Sequence, residues 1–410
     1  MIKVIFFFGI NLFITKTFCA SYDTLPKGIN MFVIKHVETS DIKSRYGANS
    51  LEDDLSIKEN FNSGRLENIN GAINTYFSEL KKISKDAYDQ FSLGEFQANA
   101  SVKLEAQGIG FARGVTEQLT FFGNLPFYHI NSNVVFNQTK NSNLAAISST
   151  LKKITTTSTL GSYVKQLTLQ LPETNEGILQ SLVVNYYGYQ ALGKWEKDAF
   201  GDAELGIIYR LTNFKDAGAA LSLGVVLPTG SMDNPDSLQD VSTGDGQYDV
   251  FIEPVTGISF FNNLMAFDLK TRLTYQLPSR KILRITTDPN FPLTKNKETL
   301  NEKLGNKIDV TAGVTYNPTL WLNFNASILF SETAKSAYSA SDLKVKEILE
   351  KNTFSSNQWE RISLGLSTVE MYKSRKMDIP FEVNLSAQKL VNAKNTPNYK
   401  RYDLDFRFYF

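Results

Sequence analysis

The residue types that do most enzymatic chemistry are scarce in this chain. It has two histidines, His36 and His129, and one cysteine, Cys19. Neither histidine has a serine, cysteine or carboxylate around it in a pattern that would make a nucleophile–base pair. Two histidines and a single cysteine also fall short of a zinc site. The acid-rich stretch Ser231 to Gly246, with Asp233, Asp236, Asp240 and Asp245, offers oxygen ligands for Ca²⁺, but its spacing is not that of an EF-hand, and Gly244-Asp245-Gly246 reads more simply as a turn. No glycine pattern sits in the strand–turn–helix context a nucleotide site needs. The sequence therefore names no catalytic residue, no metal and no cofactor, and points away from an enzyme.

What does recur is charge at every second position of otherwise apolar stretches. The acids are Glu105, Asp202, Glu204, Asp249, Glu253, Asp268, Asp309, Glu382, Asp403 and Asp405; the bases are Lys103, Arg210, Lys270, Arg272 and Arg407. Side chains alternate across an extended strand, so such stretches have one polar and one apolar face. The last nine residues show it best. Tyr402, Leu404, Phe406, Phe408 and Phe410 share one side, and Asp403, Asp405 and Arg407 share the other. Lipid on one face and a watery lumen on the other is the environment that this alternation suits, which makes the fold class an antiparallel transmembrane β-barrel and the charged residues its lumen-lining candidates. The terminal phenylalanine resembles the assembly signal of outer-membrane proteins, which implies the barrel-assembly machinery as a partner of the last strand.

Alternation marks strands near 28–38, 96–107, 116–128, 202–211, 218–229, 246–259, 264–277, 306–317, 320–331, 359–371, 379–390 and 402–410. Each is about 10 to 14 residues, the length of a tilted membrane strand. The first is ambiguous, because Lys35 breaks its apolar row. Short links at 108–115, 213–217, 261–263, 317–319 and 372–377 alternate with long ones at 39–93, 139–198, 230–245, 278–305, 332–358 and 391–398, as in a meander with short periplasmic turns and long outer loops. The strand number is then even: 12, or 14 if two more hide in the loops. Helical spacing appears in the two longest loops, over Leu66–Ser84, 143–170 and Ile178–Tyr189. Such helices either pack against neighbouring loops, which the spacing favours, or cover the barrel mouth.

Residues 1–20 have the form of a secretory signal peptide: Lys3, an apolar run from Val4 to Ile14, and a small residue, Ala20, at the cut. Cys19 as a lipoprotein cysteine is disfavoured by Phe18 before it. Cleavage leaves residues 21–410 as one barrel domain without cysteine. The balance of 43 Lys+Arg against 42 Asp+Glu gives no reason to expect nucleic acid, and 29 Phe with 18 Tyr suits interfacial girdles.

Three segments carry a family resemblance. Arg113-Gly-Val-Thr-Glu-Gln-Leu-Thr-Phe-Phe-Gly-Asn-Leu-Pro-Phe127, Phe200-Gly-Asp-Ala-Glu-Leu-Gly-Ile-Ile-Tyr-Arg-Leu211, and Ala220-Leu-Ser-Leu-Gly-Val-Val-Leu-Pro-Thr-Gly230 with Thr243-Gly-Asp-Gly246 resemble the family named for the MetA pathway of phenol degradation, itself grouped with FadL-like hydrophobic-compound channels. The resemblance implies an outer-membrane channel that admits small hydrophobic or aromatic compounds, and the expectation as a whole is a monomer exported through the periplasm to the outer membrane of a Gram-negative bacterium. The Asn-Pro-Ala hatch motif of FadL transporters is absent; Leu25-Pro-Lys-Gly28 is the only proline-marked segment there. A structural or surface-interaction barrel with a plugged lumen and binding loops is the alternative.

Overall fold

The computed structural model describes residues 22–410 except 70, 215 and 288–292. The expected signal peptide, 1–20, lies outside the described residues. Twelve strands form the barrel: β1 (Asn30–Thr39), β2 (Ser92–Gly114), β3 (Leu119–Lys140), β4 (Ala203–Asn213), β5 (Ala217–Leu227), β6 (Asp249–Phe260), β7 (Met265–Gln276), β8 (Lys307–Tyr316), β9 (Leu322–Thr333), β10 (Ser355–Ser367), β11 (Phe381–Lys394) and β12 (Lys400–Tyr409). Each pairs antiparallel with its neighbours in sequence, and β12 closes on β1 with Lys35 opposite Asp405. Closure satisfies every ladder and leaves no edge, which is what a sheet needs in order to stand in lipid.

The expected 12-strand barrel is therefore what forms, and the figure of 14 has a counterpart too. Strands Ser56–Asn62 and Lys194–Phe200 add to the outer ends of β2 and β3, so the sheet has 14 strands of which twelve close. β2 and β3 are long enough for this, at 23 and 22 residues. Their extra length corrects the turn expected at 108–115. Residues 108–114 are strand, and the turn is confined to the residues between Gly114 and Leu119. Gly108, Gly110 and Gly114 look like turn residues in sequence, but here they are inward positions of a strand, and the last is pressed against other backbone. A Cβ on Gly114 would stand 2.0 Å from the Pro26 carbonyl oxygen. Another correction falls at 368–371, where strand gives way after Ser367 to a short periplasmic helix, Val369–Lys373.

The outward faces carry the apolar residues that lipid requires. Leu205, Ile207, Leu223, Val225, Ile252, Phe267, Leu269, Ile328, Ile362 and Phe408 are all exposed, alternating with buried or half-buried positions. Of the terminal strand, Tyr402, Leu404, Phe406, Phe408 and Phe410 alternate with Asp403, Asp405 and Arg407, which are 3% exposed or less.

The helices of the two longest outer loops are α1 (Ser63–Leu66), α2 (Gly71–Ile83), α3 (Lys85–Gln90), α4 (Leu144–Lys152), α5 (Thr159–Gln170) and α6 (Glu176–Ser181), the last continuing as a π-turn over Leu182–Tyr186. Of these α2, α4, α5 and α6 fall where the apolar spacing placed them, α1 and α3 flank the expected Leu66–Ser84 segment, and a further helix, Leu343–Glu350, stands in the loop 332–358 where none was expected. Leu66, Phe77, Leu80, Phe91, Leu144, Ile147, Leu151 and Val164 bury one another in a single cluster, so the stripes pack helix on helix. Side-chain caps from Ser84, Ser158 and Asn175 satisfy first-turn amides of α3, α5 and α6.

Candidate functional site

One side of the inner wall is an ion-pair lattice. Lys35 of β1 reaches Asp405 at 3.4 Å and Asp403 at 3.9 Å, with all three side chains 4% exposed or less. Arg401 Nε donates to Asp403 at 2.7 Å, and Gln388 Nε2 and Ser386 Oγ donate to the same carboxylate. Arg407 lies 3.7 Å from Asp405 and 3.5 Å from Glu382, which also accepts from Tyr409 Oη at 2.8 Å. Acids and bases alternate across β1, β12 and β11, so each buried charge has an opposite charge beside it. Without one it would cost several kcal/mol to desolvate. Lys35, whose polarity spoiled the apolar reading of β1, is thus a lumen cation.

A second group spans β4 to β8. Glu204 and Arg272 form a bidentate pair, Oε2–Nη2 at 2.7 Å and Oε1–Nη1 at 3.3 Å. The pair reaches over β5 and β6 because Gly224 between them has no side chain and Phe251 lies beneath the guanidinium, whose carbon is 3.5 Å from the ring centroid. Asp249 accepts from Gln247 and Gln276. Glu253 is 3% exposed between the fields of Lys270 and Arg272, Asp268 lies near Lys270, and Asp309 pairs with Lys307 at 3.2 Å. Arg210 lies near the periplasmic turns, donating to the Glu117 carbonyl at 2.8 Å.

Three of the expected lumen residues sit elsewhere. Asp202 precedes β4 and belongs to the root of an outer loop. Lys103 and Glu105 face outward, where Lys103 pairs with Glu38 at 2.7 Å and Glu105 at 3.1 Å. The inward face of β2 is the other one: Val102, Leu104, Ala106, Gly108, Gly110 and Ala112 are buried, while Gln107, Ile109, Phe111 and Arg113 are exposed. The charges are tolerated outside because they lie toward the outer rim of an unusually long strand. The neighbouring inner face is apolar as well. Val37, Ile42, Val102, Leu104, Ala106, Tyr128 and Ile130 form an upper cluster, and Leu25, Met31, Val33, Ala112, Phe122 and Phe251 a lower one. An apolar track thus runs down β1–β3 beside the charged lattice, whose Lys35 stands between Val33 and Val37 on β1.

Two segments close the track. The outer one is the lid, residues 228–248, between β5 and β6. Its tip crosses to β1–β3 and buries Val241, 3% exposed, in the upper apolar cluster. Lys197 holds it there, 2.9 Å from Asp240, and Arg284 and Lys297 hold Asp236 at 2.7 and 2.6 Å. At its root Asp202 accepts from Gly230 N at 2.9 Å and Asp245 N at 3.3 Å. Gly230 and Gly244 meet there so closely that a Cβ on either would be 2.7 Å from the other's Cα. Of the acids in this stretch, Asp236 and Asp240 are engaged by cations and Asp245 accepts from Gln247 N at 3.0 Å. Burial raises the Asp202 carboxyl and, with Asp249 beside it, pushes Asp245 up to about 7.

The inner closure is a strap, Tyr22 to Pro26. It runs from the foot of β1 past β3, where Leu25 N donates to Thr120 Oγ1 and Thr24 Oγ1 to the Glu117 carbonyl, both at 2.8 Å. Asp23 then meets Arg210 at 3.8 Å, and Tyr22 ends on β5 and β6, only 4% exposed. Its ring fills the seat left by two inward glycines that are register partners, Gly218 and Gly257; a Cβ on Gly218 would stand 2.2 Å from the ring. Nothing in the sequence marks Tyr22 for this role, because the seat exists only once β5 and β6 pair. The two histidines do no comparable work: His36 and His129 are on outward positions, His129 between Asp198 at 2.7 Å and Asn131 at 2.9 Å.

No protein-family model matches the chain, and no curated protein matches it by sequence. Solved structures do. A COG4313 outer membrane channel from Pseudomonas putida F1 aligns over 95% of this chain and 98% of its own, with a TM-score of 0.52 at 9% identity. A Pseudomonas aeruginosa FadL homologue covers 95% and 92% with a TM-score of 0.35 at 9% identity, and the P. putida toluene transporter TodX covers 94% and 90% with 0.33 at 9%. The shared feature is the fold, and the chain is an outer-membrane β-barrel built on the plan of the COG4313 channel.

Proposed function

We propose that this barrel is a channel for passive uptake of small hydrophobic or aromatic compounds, closed at rest by its own lid and strap. The observation that carries the reading is the apolar track on the inner faces of β1–β3. An interior that served rigidity alone would have charges paired all round, as they are on β11 and β12. Both closures rest on this track, the lid through Val241 and the strap through Leu25. A solute of like chemistry can take their place at little net cost, since one apolar contact replaces another. An ion finds no such exchange and meets fixed charges of both signs on the adjoining wall. The COG4313 neighbour is itself a channel. The reading requires no chemical step, so the protein is a transporter and not an enzyme. It works as a monomer, matured by cleavage after Ala20 and inserted through its C-terminal strand.

A plugged structural barrel is the second reading, and the lattice around Lys35, Asp403, Asp405, Arg407 and Glu382 favours it, because that side of the lumen is filled. Single-channel recording in planar bilayers with and without toluene separates the two. Wild type should show brief, low-conductance openings that toluene modulates, and Val241→Asp, which places a charge in an apolar seat, should open the outer mouth. Silence from both, in protein that is folded by heat-modifiable mobility, would reject the channel and leave the plugged barrel.

A further inference from the structure

One hollow on the molecule lies outside the lumen. A groove of about 1000 Å³ is cut into the lipid-facing wall over β3 to β8. Its sides are the exposed apolar residues Phe121, Leu205, Leu223, Ile252, Leu273 and Tyr275. Its floor is bare backbone, the register pair Gly206 and Gly224. These glycines face the lumen, where Phe122 and Phe251 press against them: a Cβ would come within 2.6 Å of the first ring and 2.3 Å of the second. Without side chains at this pair the wall sits closer to the rings, and the outer surface, which a barrel ordinarily presents as convex, is dented.

The dent lies toward the outer ends of its strands. Leu273 and Tyr275 are near the outer end of β7, and Asn306, Lys307, Glu332 and Ala334 line its outer limit. At that limit stands Lys303. Its ammonium donates to Tyr275 Oη at 3.1 Å and lies 4.7 Å over the same ring, so the charge is fixed at the head of the groove. Among the described residues Lys303 has no carboxylate within ion-pair distance, whereas Lys307 is engaged by Asp309. Glu332 is the single acid on the rim.

An apolar slot in the outer half of the membrane, capped by a held ammonium, has the polarity of one lipid molecule. We propose that the groove is a specific site for a phosphorylated acyl lipid of the outer leaflet, of the lipid A type, with an acyl chain along Leu205–Tyr275 and a phosphate oxygen on Lys303 Nζ. Bulk lipid covers any barrel; what is particular here is a slot deep enough to order one chain and a charge-assisted bond to one headgroup.

The test uses the mature protein in phosphatidylcholine nanodiscs that contain a few per cent of bis-phosphorylated lipid A, with retained lipid read by native mass spectrometry. Wild type should retain lipid A about tenfold over its share of the disc, the size of effect one charge-assisted bond supplies. Lys303→Ala should remove the enrichment, and Leu223→Trp, which fills the slot, should remove it as well. Ile362→Trp, on the lipid face of β10, should leave it unchanged. Val225→Phe replaces Leu223→Trp should the latter fail to show the heat-modifiable mobility of a folded barrel. Equal retention by wild type, Lys303→Ala and the slot variant would overturn the proposal. So would equal retention of dephosphorylated lipid A, which would mean unselective apolar coverage.

Discussion

Asp245 makes the lid sensitive to pH, and the sign of the effect follows from its surroundings. The residue is 5% exposed at the lid root. Burial disfavours its charge first, Asp249 and Asp202 add repulsion, and the amide of Gln247 and the more distant Lys281 oppose them without prevailing, so the carboxyl titrates near 7. Once the lid swings out, it returns to an ordinary aspartate near 3.8. Below that value it is protonated in both positions and changes nothing. Between about 4 and 7 the closed lid keeps a proton that the open lid has released, so closure weakens steadily as pH rises. Above 7 the full penalty applies. A displacement of that size corresponds to about 4 kcal/mol. Because the charge is shared with Asp202 and Asp249, roughly half, some thirtyfold in the open–closed ratio, is the effect to look for. Asp245→Asn keeps an oxygen for Gln247 N, which now donates to Asp245 Oδ1 at 3.0 Å, and carries no charge. Open probability recorded from pH 4.5 to 8 should rise for wild type and level off near 7, and stay low and flat for Asp245→Asn. Labelling of Ser237→Cys, buried within the closed lid, gives the same answer without current. A wild-type profile that falls with pH, or an Asp245→Asn profile that keeps the wild-type slope, would refute this account.

Lys35→Met leaves Asp403 and Asp405 short of a buried cation; with Arg401 and Arg407 still present the loss should be near the low end of a broken buried pair, about 3 kcal/mol, read from the urea midpoint of folding. An unchanged midpoint would mean that the arginines suffice. Gly218→Ala puts a methyl group where the Tyr22 ring lies, so the strap should leave its seat, exposing the Tyr22–Pro26 segment to protease and raising conductance while the barrel keeps its heat-modifiable shift. Protection equal to wild type would show that the ring is not seated there. Phe410→Ser removes the outward terminal aromatic and should lower the yield of folded barrel in cells several-fold, without altering refolding of purified protein in detergent. A loss in both would assign Phe410 to stability instead of assembly.

Much of this architecture is readable from alternation, and the reason is solvent. Lipid outside and a wall only one strand thick impose period two on nearly every barrel strand, so the twelve strands and most of their short–long connections can be located from residues alone, and with them the longer helices of the two longest loops; the shorter helix Leu343–Glu350 is not. Ends are less legible. Gly108, Gly110 and Gly114 have the composition of a turn, yet they are inward strand positions, and at Gly114 the missing side chain lets the strap approach. Alternation also shows which residues share a face without showing which face is inside. On β12 the polar face is inward. On β2 it is outward, because Lys103 and Glu105 lie toward the outer rim and the lumen there is apolar.

That inversion bears on function more than any of the agreements do. A polar-in, apolar-out rule predicts a lumen of paired charges, and such a lumen needs no lid. The lid and the strap both span the lumen to the side where the rule fails, and each buries an apolar residue there, Val241 above and Leu25 below. Neither contact is visible in sequence, since Val241 lies in an acid-rich loop and Leu25 just ahead of a proline. They become intelligible only when β1–β3 present a common apolar face to the lumen. What the barrel keeps closed at both ends is therefore its apolar path, and the path that is guarded is the one expected to carry traffic.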